Sequence, residues 1–167
     1  MAITLNHTGF VVKDIEKSIS FYTNALGLHL DREAESSTPG LAQCVGYKEA
    51  HIKAALLTGA DGHTLELIQY INPAGVPREE SAQYPRNLHG ATHLAFIVDD
   101  IEEVFQRLLD NGAQKLNDPA IMRPELKACY LQDPDGNWIE LMEDEVHKKS
   151  PFHIKQNTAA LDWSSRD

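Results

Sequence analysis

Residues 135–142 read DGNWIELM, and within an otherwise apolar run of Trp138, Ile139, Leu141 and Met142 stands the carboxylate of Glu140. Residues 61–68 read DGHTLELI and repeat the phrase: Asp-Gly, two variable residues, an aliphatic, Glu66, a leucine and another apolar residue. Side chains along a strand alternate between its two faces. Leu65 and Leu67, like Ile139 and Leu141, therefore point one way, while Glu66 and Glu140 point the other. A carboxylate withdrawn from water needs a cation to meet it, and no lysine or arginine recurs at matching positions of the two phrases.

The repetition extends upstream. HTGFVVKDIE at 7–16 aligns with HLAFIVDDIE at 93–102, so that His7, Phe10, Val12, Asp14, Ile15 and Glu16 coincide with His93, Phe96, Val98, Asp100, Ile101 and Glu102. Self-similarity at fixed spacing marks a fold built from repeated units. Each unit opens with a strand signal, over 3–12 and 91–98, rich in apolar and β-branched residues. Each then turns helical after an aspartate suited to an N-cap, Asp14 or Asp100. Ile101, Val104, Phe105, Leu108 and Leu109 recur at helical spacing, as do Ile15, Ile19, Tyr22 and Leu26. Gly27 and Gly112 supply the left-handed stops. Apolar runs follow: CVGY, HIKAALL and LELIQY in the first unit, KACYLQ and WIELM in the second, separated by turn-forming residues. The pattern predicts strand, helix, then about three strands, twice. One domain over 1–145 is expected, with modules at about 3–70 and 90–144, a connector over 71–89 and a tail over 146–167.

In the first strands, Phe10 and Val12 share one face, and Leu94, Phe96 and Val98 do likewise; His7 and His93 lie on the other with Gly9 and Ala95. The bulky face receives a helix. The histidine face carries a very small residue two places on, leaving room for something other than protein. Modules pairing about a pseudo-twofold axis would bring His7, Glu66, His93 and Glu140 together, where a divalent metal balances both carboxylates.

A chain of 167 residues with 15 Lys and Arg against 25 Asp and Glu carries a formal charge of −10, which argues against nucleic acid or an anionic membrane as partner. The two cysteines, Cys44 and Cys129, show no C-x-x-C spacing, no charged-then-apolar leader opens the chain, and no apolar run is long enough for a membrane span. A soluble, cytoplasmic protein is expected. Nucleophile-elbow, phosphate-loop and paired C-x-x-C motifs are absent.

The segments NHTGFVVKDIEKSISFYTNALGL, GATHLAFIVDDIEEVFQRLLDNGA and DPDGNWIELME resemble the vicinal oxygen chelate superfamily, which includes glyoxalase I, methylmalonyl-CoA epimerase, extradiol dioxygenases and antibiotic-resistance proteins. The resemblance implies an α+β fold in which paired βαβββ modules form a cupped, barrel-like mixed sheet with helices on the outside. It further implies one divalent metal ion, Zn, Ni, Co, Mn or Fe, held by His7, Glu66, His93 and Glu140, and a homodimer. The ligand pattern is most similar to glyoxalase I type enzymes. Extradiol dioxygenases use three ligands, corresponding to His7, His93 and Glu140, which leaves Glu66 surplus. The epimerases carry an amide where Glu66 stands.

Four protein ligands in an octahedral sphere leave two adjacent positions for neighbouring oxygens of a small substrate, and proton transfer beside a metal-bound carbonyl gives a lyase or isomerase. Glu140 is the first candidate for the base and Glu66 the second. His51, Arg86, Arg123 and Trp138 are candidates for substrate binding. Two alternatives stand beside this reading: an Fe(II)-dependent extradiol-type dioxygenase, and a non-catalytic resistance-type binding protein. Whether the modules pair within a chain or across chains stays open.

Overall fold

The computed structural model describes residues 5–76, 89–90 and 92–145. The first half runs β1 (Thr8–Val11), α1 (Ile15–Leu26), β2 (His29–Ser36), α2 (Pro39–Val45), β3 (His51–Thr58) and β4 (Thr64–Asn72). The second runs β5 (His93–Ile97), α3 (Ile101–Asp110), β6 (Gln114–Lys115), β7 (Ala120–Arg123), β8 (Leu126–Gln132) and β9 (Trp138–Asp144). The fold is α+β, with two mixed sheets ordered β1-β4-β3-β2 and β5-β9-β8-β6, β7 pairing with β8. The sheets share no strand pairing and do not close into a barrel within the chain.

The two longer helices, α1 and α3, begin as the residue types dictate. Asp14 and Asp100 accept hydrogen bonds from the backbone N–H groups of Lys17 and Glu103, at 3.2 and 2.9 Å. A second device repeats with them. Gln69 Oε1 on β4 accepts from Ile15 N at 3.0 Å, and Glu143 Oε2 on β9 accepts from Ile101 N at 2.9 Å. Each helix is thus tied at its start to the strand that carries the glutamate of interest. Gly27 ends α1 at φ 70° as expected, whereas α3 ends on Asn111 with the left-handed Gly112 one place later.

Two expectations need correction. The run CVGY is not a strand: Cys44 and Val45 close α2, which starts from the Thr38 cap with Pro39 in its first turn. The second strand of the first module is instead HLDREAES, β2, at the sheet edge, where exposure on both faces removes the alternation that would have revealed it.

One apolar core serves both halves. Phe10, Phe21, Leu57 and Leu67 share it with Phe105, Leu108, Leu131 and Leu141. Burying an aliphatic side chain of this kind contributes roughly 1.5–3 kcal/mol. The seam also carries polar bonds. Tyr22 Oη donates to Asp133 Oδ2 at 2.8 Å, Ser18 Oγ donates to Asp135 Oδ2 at 3.1 Å, and Arg107 Nε donates to the Ala25 carbonyl at 2.8 Å. Because β4 and β9 turn Leu65, Leu67, Ile139 and Leu141 into this core, their glutamates lie on the faces directed away from it.

Candidate metal centre

Strand register puts each small residue beside its glutamate. Gly9 is the partner of Glu66 across the parallel β1–β4 pair, and Ala95 is the partner of Glu140 across β5–β9. A methyl group at Gly9 would lie 3.7 Å from Glu66 Oε2, in ordinary van der Waals contact with the carboxylate.

The histidines come down on these carboxylates. His7 Nε2 lies 3.0 Å from Glu66 Oε2, and His93 Nε2 lies 3.1 Å from Glu140 Oε2. The glutamate side chains are 23% and 13% exposed, and among the described residues neither has a lysine or arginine partner. The other ring nitrogen of His7, Nδ1, lies 2.7 Å from Asn6 Oδ1. An amide oxygen only accepts, so Nδ1 is the donor in this bond and Nε2 is the nitrogen turned to Glu66. A ring nitrogen and a carboxylate oxygen meeting at this distance can be joined by a proton or by a cation that both ligate. Two donors at right angles on one ion, each about 2.1 Å from it, lie about 3.0 Å apart. Both pairs have that spacing, so the residues present fit a divalent metal.

Within one chain the four residues form two separate pairs. Among the described residues no three of them gather within 4.8 Å, and the group that does, Asp100, Glu102 and Glu143, lies at the start of α3. There Asp100 and Glu143 accept from the helix backbone and Glu102 takes the Lys127 ammonium at 2.9 Å, which accounts for the cluster without an ion.

The other candidates divide. Trp138 is 2% exposed and shares the face of Glu140 at the foot of β9, opposite His93 in register. Arg123 sits on β7 with its guanidinium 3.0 Å from the buried Asp144 carboxylate. His51 lies five residues along β3 from Leu56, the partner of Glu66, roughly 17 Å away at strand rise, and its Nε2 meets Glu35 Oε1 at 2.6 Å. It is not brought to either pair. Arg86 falls outside the described residues. Two residues were not foreseen. Asn6 orients His7, a role a residue beside a ligand can take only through local backbone geometry. Tyr130, the register partner of Glu140, sets its ring edge-on to His93 with centroids 5.4 Å apart. Its counterpart in the first sheet is Leu56, so the ring is particular to the second half.

Comparison with known proteins bears on what these pairs belong to. The chain is 31% identical to the metallothiol transferase FosB of Staphylococcus epidermidis, over 95% of this chain and 94% of that protein. It is 28% identical to the lactoylglutathione lyase of Salmonella typhimurium, over 83% and 91%. It is 30% identical to the catechol-2,3-dioxygenase of Bacillus subtilis over 83% of this chain, but spans only 41% of that longer protein. The crystal structure of a glyoxalase family protein from Bacillus cereus superposes with a TM-score of 0.78 at 25% identity, covering 86% and 95% of the two chains. Residues 4–141 match the family description Glyoxalase/Bleomycin resistance protein/Dioxygenase superfamily, and the chain belongs to that superfamily.

Proposed function

We propose that the protein is a divalent-metal-dependent lyase or isomerase of the glyoxalase type, working as a homodimer in which the His7–Glu66 pair of one copy and the His93–Glu140 pair of the other hold one ion. The observation that carries this reading is the duplicated pair itself: equivalent side chains on equivalent strands, at 3.0 and 3.1 Å, on sheet faces turned away from the chain's own core. Such faces meet a complementary half-site only on another copy. The similarity to a lactoylglutathione lyase and to a metallothiol transferase supports a metal-dependent enzyme; FosB's transferase activity is the nearest competing chemistry.

A bound divalent ion supplies Lewis-acid stabilisation of negative charge developing on a carbonyl oxygen of the substrate. The chain's own residues do the rest. Glu140 takes the proton from the carbon next to that carbonyl and returns it to the neighbouring position, with Glu66 the alternative base. His7 and His93 would each offer Nε2 to the ion, and Asn6, bonded to Nδ1, holds the first ring in place. Trp138 closes the foot of the site with an apolar surface, and Tyr130 flanks Glu140 on the neighbouring strand. Exclusion of water by these rings strengthens every charge interaction near the carboxylates.

The experiment pairs elemental analysis of protein purified without chelators with a mixing test. The double variants His7→Ala/Glu66→Ala and His93→Ala/Glu140→Ala each lose the ion; refolded together they should recover one ion per heterodimer, since half-sites from different copies complement in the dimers that contain one of each variant. No recovery, with dimers present, would end the cross-chain reading. Ring cleavage with oxygen uptake by iron-loaded protein given catechols would replace proton transfer with dioxygenase chemistry.

A further inference from the structure

Reading across the open face of the first sheet, register aligns Gly9, Glu66, Leu56 and Arg32 in one row. Arg32 is on β2, two strands beyond Glu66 on the same face, roughly 10 Å away at the usual strand spacing. The bulge at Asp31 sets this register: Leu30 pairs with Leu57 on the core side, and the inserted residue brings Arg32, not Asp31, opposite Leu56. Between arginine and glutamate the row is floored by Leu56, flanked by Ala54 and Ile68.

Among the described residues, two arginines lie on the open faces of the sheets. Arg123, the register partner of Leu126, is neutralised by Asp144 at 3.0 Å. Arg32 is exposed and has no carboxylate within ion-pair distance among the described residues, although the chain as a whole carries an excess of acids and Glu33 and Glu35 adjoin it in sequence. Alternation sends those two glutamates to the opposite face, where Glu35 meets His51. Arg32 and Glu66 thus share the open face with Leu56 between them, and the Asp31 carboxylate beside Arg32 is taken up by the Thr58 hydroxyl.

We propose that Arg32 is a specificity-determining residue that anchors an oxyanion, a carboxylate or a phosphoryl group, at the far end of a substrate whose neighbouring oxygens reach the metal; the inference rests on the metal reading above. A planar fork of donors suits either anion through two parallel hydrogen bonds. An arginine two strands from the ligating glutamate selects for a substrate with its charge several bonds from the chelating oxygens. A small uncharged dicarbonyl could not span that distance.

The test uses metal-loaded protein and hydroxamates, which chelate through two neighbouring oxygens. One probe carries a terminal carboxylate, a second the same chain ending in a carboxamide, and a third a terminal phosphonate. The carboxylate or phosphonate probe should bind about tenfold or more tighter than the amide, the scale of one charge-assisted pair. Arg32→Gln should remove that preference and leave amide binding unchanged, while Arg32→Lys should keep part of it. Whichever anion shows the larger ratio identifies the group. Equal binding of all three probes by the wild type, or an unchanged ratio in Arg32→Gln, overturns the anchor while the metal reading stands. Failure of every probe to bind overturns the metal reading and the anchor with it.

Discussion

Tyr22 and Asp133, 111 residues apart, meet at 2.8 Å in the seam between the halves, the tyrosine fully buried and the aspartate 1% exposed. Asp133 also accepts from the backbone of Asp135 and from the backbone and side chain of Asn137, so the turn leading into β9 is folded around its carboxylate. Tyr22→Phe removes one donor from this buried acid and should lower stability by about 1–3 kcal/mol. Urea unfolding measures it; a loss within error would mean that the seam is held by apolar packing alone.

The same burial sets the pH response. Desolvation, then the charge of Asp133, pushes the Tyr22 hydroxyl well above its ordinary value. Burial likewise pushes the Cys129 thiol to about 12. A group whose folded value is raised contributes stability that is complete below its unfolded value and is lost as pH rises through the folded one. Stability should therefore fall as pH rises from about 9 toward 12, the window these two groups set. Tyr22→Phe should flatten the upper part of that decline. Burial raises Asp133 as well, so its contribution is greatest in acid and declines as pH rises through its folded value.

The two thiols should differ sharply in reactivity. Cys44 is exposed at the end of α2, and Cys129 is buried on β8. Iodoacetamide should add one label to the native protein and two after denaturation, because only the exposed thiol is within reach while the chain is folded. Peptide mass mapping should find the first at Cys44.

Orientation of His7 through Asn6 makes a further prediction. Asn6→Ala frees the ring to change tautomer and should weaken metal affinity by about 10–100-fold, the usual scale for a lost hydrogen-bond partner of a ligand. Asn6→Asp keeps an acceptor and should restore most of it. Competition against a chelating dye reads both; equal affinities for wild type and Asn6→Ala would remove the orienting role.

Much of the architecture was legible because it was written twice. The caps at Asp14 and Asp100 and the alternation around Glu66 and Glu140 are local rules, readable wherever apolar residues face a core. The histidine–glutamate pairings follow from the same alternation, since parallel register places β1 beside β4 and β5 beside β9. HLDREAES was missed because an edge strand wet on both sides carries no periodic signal. CVGY misled because two apolar residues suit a short helix as well as a strand. Arg32 was illegible for another reason: its row depends on a bulge that shifts register by one residue, and no local propensity announces it. Whether the halves of one chain complete a single centre depended on how the helices pack between them, which is a tertiary matter.

Faces that point outward from a common core have a thermodynamic corollary. Were one ion shared between copies, as proposed, its dissociation would be tied to that of the dimer, so dilution would release metal and a chelator would loosen the subunits, each by the same linked free energy. Occupancy then reports how much protein is present as well as how much metal.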